Sequence, residues 1–185
     1  MSSITKIDEV QITAPTWEID ITDISQDYDD LWILASLISD DSADVSWNLG
    51  GQFRWNGIST NYERMAFNWY TTTEAVAYGT ANANGFFPYA GAQSVYPNDF
   101  GKHEILINNY TTASTNYGKC VMVNGTRLVN SSTLRDCIAY FSSSMTSSGP
   151  YAITSLRITT VNISTFFYPG SHIEVYGLAN TNRIP

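Results

Sequence analysis

Apolar and polar residues alternate over short runs, and Gly, Asn, Ser or Pro separates each run from the next. The chain therefore carries the two-residue period of β-strands and hardly anywhere the period of a helix. Trp17, Ile19 and Ile21 alternate with Glu18, Asp20 and Thr22, which predicts a half-buried strand with all three large side chains on one face. Residues 31–38 form an apolar run read as a central strand buried on both faces, a short helix being the alternative that period alone leaves open. Asp27, Asp29 and Asp30 supply the polar turn before it.

Within 45–55, Gly50-Gly51 implies a bulge or hairpin ahead of Phe53 and Trp55. Asn56-Gly57 tolerates the positive φ angles of a tight hairpin turn, with 62–70 as the returning strand. Further strands are expected at 104–108, 119–123, 135–141, 154–161 and 172–178, all rich in β-branched or aromatic residues, and Asn124-Gly125 predicts another hairpin. About eight to ten strands at this spacing make an all-β, two-sheet antiparallel sandwich of jelly-roll-like form the expected fold, and no repeat points to a propeller.

A length of 185 residues with 43% hydrophobic content suits one core better than two small ones, so 1–185 is expected to be a single domain. Charged residues make up only 14%, which leaves a surface of Ser, Thr and Asn hydroxyls and amides. Seventeen acidic against nine basic residues give a net charge of -8, which repels phosphate backbones and anionic headgroups; neither nucleic acid nor membrane is an expected partner. Residues 1–15 lack the basic and apolar regions of an export signal, so synthesis in the cytoplasm without an export signal is expected. Cys120 and Cys137 each sit in an apolar strand-like run and read as buried free thiols, with a disulfide as the alternative.

One long irregular segment, 78–102, holds four glycines (Gly79, Gly85, Gly91, Gly101) and five aromatic side chains after Tyr78: Phe86, Phe87, Tyr89, Tyr96 and Phe100. A loop of that length either serves function or folds back to cap an open end of the sandwich. Residues 1–15 and 180–185 lie outside the strongest strands and could act as an N-terminal arm and a C-terminal tail reaching onto neighbours, or fray as ordinary ends.

Catalytic motifs are missing. His103 and His172 are the only histidines, each in its own strand context, and there is no Gly-x-Ser-x-Gly elbow, phosphate-binding glycine loop or dinucleotide fingerprint. His103-Glu104 begins like a zinc-protease motif, but Ile107 stands where the second ligand is needed. The clusters Asp27/Asp29/Asp30 and Asp40/Asp41/Asp44 do not have EF-hand spacing and read as solvated turns. No enzyme activity, cofactor or metal is expected. Sugar stacking on Trp or Tyr remains open, although most of Trp17, Trp32, Trp47, Trp55 and Trp69 fall on expected strands, where core packing is the commoner use. The sequons at Asn109, Asn124, Asn130 and Asn162 carry no weight without a secretory signal.

Several phrases, in order, resemble a family of tailed-bacteriophage virion proteins, small β-sandwich chains that serve as capsid decoration, cement or tail-associated proteins. They are Tyr28-Asp29-Asp30-Leu31 opening a strand, Phe53-Arg54-Trp55-Asn56-Gly57 with Asn61-Tyr62, and Glu104-Ile105-Leu106-Ile107-Asn108-Asn109-Tyr110. Ile153-Thr154-Ser155-Leu156-Arg157-Ile158 and the closing Gly170-Ser171-His172-Ile173-Glu174-Val175-Tyr176-Gly177-Leu178 complete the set. Arg54-Trp55 stands as an insertion, and 78–102 is longer and more aromatic than the family pattern. The resemblance implies a capsid decoration or cement protein on the virion surface. Its implied partners are the major capsid protein and further copies of itself as a homo-oligomer. Independently of the resemblance, the aromatic side chains Phe86, Phe87, Tyr89 and Tyr96 of the long loop are the expected interface anchors. The alternative is a receptor- or carbohydrate-binding module of a tail fibre or spike.

Overall fold

The computed structural model of the chain describes residues 3–39, 52–57, 62–70, 73–83, 85–86, 91–92, 100–111, 120–130, 133–143, 152–160 and 166–179; for 52, 62–92, 120 and 126–143 the description is of the backbone. Every regular element among them is a strand. In chain order these are β1 (Ser3–Gln11), β2 (Glu18–Ile21), β3 (Asp30–Ser39), β4 (Gln52–Trp55), β5 (Tyr62–Tyr70), β6 (Thr73–Ala83) and β7 (Gly85–Phe86). β8 (Gly91–Ala92), β9 (Gly101–Ile107), β10 (Cys120–Asn130), β11 (Thr133–Ser143), β12 (Leu156–Thr159) and β13 (His172–Ala179) follow. The protein is all-β and built from two antiparallel sheets. The large sheet runs β1-β13-β3-β9-β10-β11-β5-β6, with β8 added in parallel to the end of β3, and the small sheet runs β2-β12-β4-β7.

The inner faces of the two sheets share one apolar cluster, which gives the sandwich-like architecture. The large sheet contributes Leu31, Ile33, Leu37, Ile105, Ile107, Val121, Val123, Ile173 and Val175, and the small sheet Ile19, Ile21, Phe53, Trp55, Leu156 and Ile158. Burying each such side chain is worth roughly 1.5–3 kcal/mol. The alternation seen in the sequence is the cause: in β9 the burial order is strictly in, out, in from Gly101 to Ile107.

Four expectations change. First, β3 is central, between β13 and β9, but it is not buried on both faces: Trp32, Leu34 and Ser36 are only partly covered, and among the described residues no layer lies over the outer face there. Second, Asn56 and Gly57 have the expected positive φ, 50° and 70°, yet they do not close a hairpin. β4 belongs to the small sheet and β5 to the large one, so the turn passes the chain between sheets, and Asn56 instead clamps the strand entry at 152–155. Third, Asn124-Gly125 lies inside β10, opposite Ile138 and Cys137, and the chain reverses only after Asn130. The ladders to β9 and β11, both regular through Asn124 and Gly125, outweigh the local turn preference. Fourth, residues 3–11 of the expected arm are an edge strand on β13, anchored by Ile7 and Val10 packing against the core, with a bulge between Lys6 and Asp8 that lets both face inward.

The expected loop at 78–102 is also shorter than its sequence suggested: β6 runs on to Ala83, and β7 and β8 interrupt the rest. On the β10–β11 ladder Cys120 faces Ser142 and Cys137 faces Gly125. Five residues of strand, about 17 Å, separate the two positions, whereas a disulfide needs Cα atoms within about 7 Å, so these cysteines do not pair with each other. Gly50-Gly51, the tail 180–185 and the Asp40/Asp41/Asp44 cluster lie outside the described residues.

Candidate functional site

The outer face of the large sheet collects the side chains that the core did not take. Antiparallel register sets them in rows, because directly opposed residues stand on the same face. One row contains Tyr176, Trp32, Leu106 and Met122 across β13, β3, β9 and β10, all partly covered. The backbone register carries that row on to Tyr140, Met65 and Tyr78 in β11, β5 and β6. The next row contains Glu9, Glu174, Leu34, Glu104 and Asn124.

Trp32 and Tyr176 are stacked at a tilt of 40° with ring centroids 5.4 Å apart. Each ring orients a carboxylate in the neighbouring row: Trp32 Nε1–H donates to Glu104 Oε1 at 2.8 Å, and the Tyr176 hydroxyl donates to Glu174 Oε2 at 3.1 Å. Partial burial, followed by that bond to Glu174, raises the Tyr176 phenol above its ordinary value. Further along the face, Lys102 donates to Ser36 at 2.6 Å and lies 5.8 Å from the Phe100 ring centroid.

At the β1 edge lies a charged knot. Lys6 Nζ donates to Glu9 Oε2 and, at 3.0 Å, to Glu174 Oε1; His172 Nε2 is 2.7 Å from Glu9 Oε1. The bond from Lys6 is the main cause that holds both carboxyls below the usual range, with His172 assisting at Glu9 and Tyr176 at Glu174; Lys6 is raised in return by Glu9 and then Glu174. These groups are at the surface and contribute little net stability.

A pocket of about 240 Å³ lies between the β1 bulge and the turn after β2, lined by Ile7, Asp8, Thr22, Asp23, Ile24 and Ser25. Its hydroxyls are already engaged, Thr22 with Asp23 at 3.2 Å and Ser25 with Asp27 at 2.8 Å. Asp30 accepts the Asn109 N–H at 2.7 Å, and Asp29 N–H donates to Leu178 O at 2.9 Å, so these aspartates serve turn and strand ends.

Of the interface residues expected from sequence, Phe86 is in β7 with its backbone opposite Gln52; its side chain, and Phe87, Tyr89 and Tyr96 entirely, lie outside the described residues. Among the tryptophans, only Trp55 of the three with described side chains is core, at 2% exposure. Trp17 precedes β2 and is 39% exposed, which corrects its expected place beside Ile19 and Ile21; Trp32 is on the outer face. His103 is buried in β9 and His172 lies outside on β13, on opposite faces of the sheet. Sequence reasoning misses Trp32 because the run 31–38 reads as a strand buried on both faces, and Tyr176 because nothing local says which strand lies beside it; only the register shows that the two meet on the outward face. No helix among the described residues is long and apolar enough to cross a membrane. No protein-family model, curated protein or solved structure matches this chain.

Proposed function

We propose that this chain is a structural protein of a bacteriophage virion, a capsid decoration or cement protein that binds the head shell through the outer face of its large sheet. The observation that carries the reading is the row Tyr176, Trp32, Leu106 and Met122: aromatic, thioether and branched side chains left on a face that turns away from the core. Aromatic and methionine side chains are enriched at the centres of protein interfaces, and the carboxylates of the neighbouring row fit the polar rim that surrounds such a centre. The resemblance of the quoted phrases to virion proteins supports the same reading. Its partners are then the major capsid protein and further copies of itself, on the capsid surface, with neither catalysis nor cofactor, nucleic acid or membrane involved.

The strand order supports a jelly roll of one domain. With the hairpins β5–β6 and β10–β11 set aside, the sheets are β1-β13-β3-β9 and β2-β12-β4-β7, and the chain passes back and forth between them as a rolled-up pair of Greek keys does. Jelly rolls are common in viral shells and in lectins. The two hairpins come from connections far apart in sequence, yet pair with each other through β11 and β5 to extend the large sheet. That extension lengthens the surface available to a neighbour.

The deciding experiment is co-sedimentation of the purified chain with phage heads that lack it. Saturable binding that is lost in the Trp32→Ala/Tyr176→Ala double variant, with circular dichroism unchanged, is expected; no binding across salt and pH overturns the proposal. A sugar-binding reading is favoured by one specific arrangement, the Trp32–Tyr176 stack flanked by the oriented carboxylates Glu104 and Glu174, since sugars offer an apolar face and hydroxyl donors. Specific retention on a glycan array, abolished by Trp32→Ala, establishes that alternative and moves the protein to a tail fibre or spike.

A further inference from the structure

Glu9 on β1 and His172 and Glu174 on β13 bring one imidazole nitrogen and two carboxylate oxygens within 4.8 Å of one another. Strand geometry produces the convergence. His172 and Glu174 are two residues apart on one strand and so share a face, while Glu9 is directly opposite Glu174 on the antiparallel neighbour. Two donors from one strand and a third from the adjacent strand make a triangular base whose outer side is open to water. That is the three-ligand arrangement in which zinc keeps a further position for solvent.

The place already carries a positive group, which a metal ion would have to displace. The Lys6 ammonium already bridges both carboxylates, donating to Glu9 and to Glu174. It reaches them from a flexible stem whose side chain is 39% exposed, so it can leave for water without opening the core. We propose that Glu9, His172 and Glu174 form a zinc(II)-binding site on the outer face of the large sheet, at which the metal and the Lys6 ammonium compete for the two carboxylates. An imidazole nitrogen with two carboxylate oxygens is a donor set that zinc accepts, and calcium, which takes oxygen ligands, does not. Bound metal replaces the hydrogen bond between His172 Nε2 and Glu9 Oε1 and ties the edge strand to β13 by bonds independent of the backbone ladder. The site does not depend on the virion reading.

The test is titration calorimetry of the full chain with zinc chloride near neutral pH, for the native protein and for Lys6→Met, His172→Ala, Glu174→Gln and, as a control on the other sheet, Asp20→Asn. Expected are one saturable site in the native protein, binding weakened at least about tenfold in His172→Ala and Glu174→Gln, tightened about tenfold in Lys6→Met, and unchanged in Asp20→Asn. Zinc should also slow amide exchange along β1 in the native protein, a readout that nonspecific surface binding does not move. Circular dichroism checks that each variant is folded. No saturable binding up to about 1 mM zinc, binding indifferent to His172 and Glu174, or binding that appears only in Lys6→Met overturns the proposal.

Discussion

Tyr28 fills the space that a side chain at position 177 would need: a Cβ built on Gly177 comes within 2.3 Å of the Tyr28 ring. Tyr28 belongs to the turn before β3, and Gly177 lies in β13, where it pairs with Leu31. The contact, with the bond from Asp29 N–H to Leu178 O at 2.9 Å, holds the turn against the final strand.

Gly177→Ala is therefore expected to cost about 1–3 kcal/mol, the range for overpacking a filled site, in urea unfolding. In a Tyr28→Ala background the same substitution should cost only a few tenths, because the obstruction is gone. Equal costs in both backgrounds contradict the steric account.

Asn56 does two things at once, adopting φ 50° and binding the strand entry through Ala152 O, Thr154 N–H and Ser155 N–H. Asn56→Ala loses both and should destabilise by about 2 kcal/mol or more, whereas Asn56→Gly recovers about 1 kcal/mol of that by relieving the left-handed conformation. Ranking the three proteins by denaturant midpoint checks the order Asn, Gly, Ala.

The Tyr110 hydroxyl donates to Ser25 O from inside the core, and burial pushes its phenol up to about 12. In the unfolded chain a tyrosine ionises near 10. The folded state thus holds the proton across a window in which the unfolded state loses it. Stability from this group is complete below about pH 10 and is lost as pH rises toward 12. Tyr110→Phe should be less stable at neutral pH by about 1 kcal/mol and show a shallower alkaline decline in thermal melts.

At the acid end the sign reverses. Glu9 and Glu174 are held below their ordinary range chiefly by Lys6, so their contribution is present above the unfolded carboxyl range, near pH 4.3, and lost as pH falls through the depressed folded values. The protection of β1 amides, taken relative to the intrinsic exchange rate at each pH, should fall on acidification before that of β3 or β9, and Lys6→Met should flatten the change. Because these groups are exposed, added salt should weaken the effect.

Core and surface should differ sharply. Phe53→Ala, removing a side chain fully buried between the sheets, should cost about 3–5 kcal/mol. Arg157→Ala, which breaks exposed bonds to Asp20 at 2.6 and 2.8 Å, should cost no more than about 1 kcal/mol by the same measurement.

How much of this was readable in the chain follows from the range of each cause. Alternation at Ile19, Ile21, Phe53, Trp55, Ile105 and Ile107 determined that the protein is all-β and which residues form its core, since a strand sorts its side chains by a rule two residues long. The left-handed turn at Asn56-Gly57 was equally local. Partners were not. Nothing near Asn124-Gly125 says that two ladders hold it straight, and nothing near Ile7 says that β13 waits 165 or more residues later to pair with β1. The outward place of Trp32 depends on the small sheet leaving that face uncovered, and the cluster of Glu9 with His172 and Glu174 depends on register between the two ends of the chain. Sequence thus determined the strands and the core, through short-range sterics and burial. The tertiary structure alone decided which strands meet, and therefore which side chains share a surface.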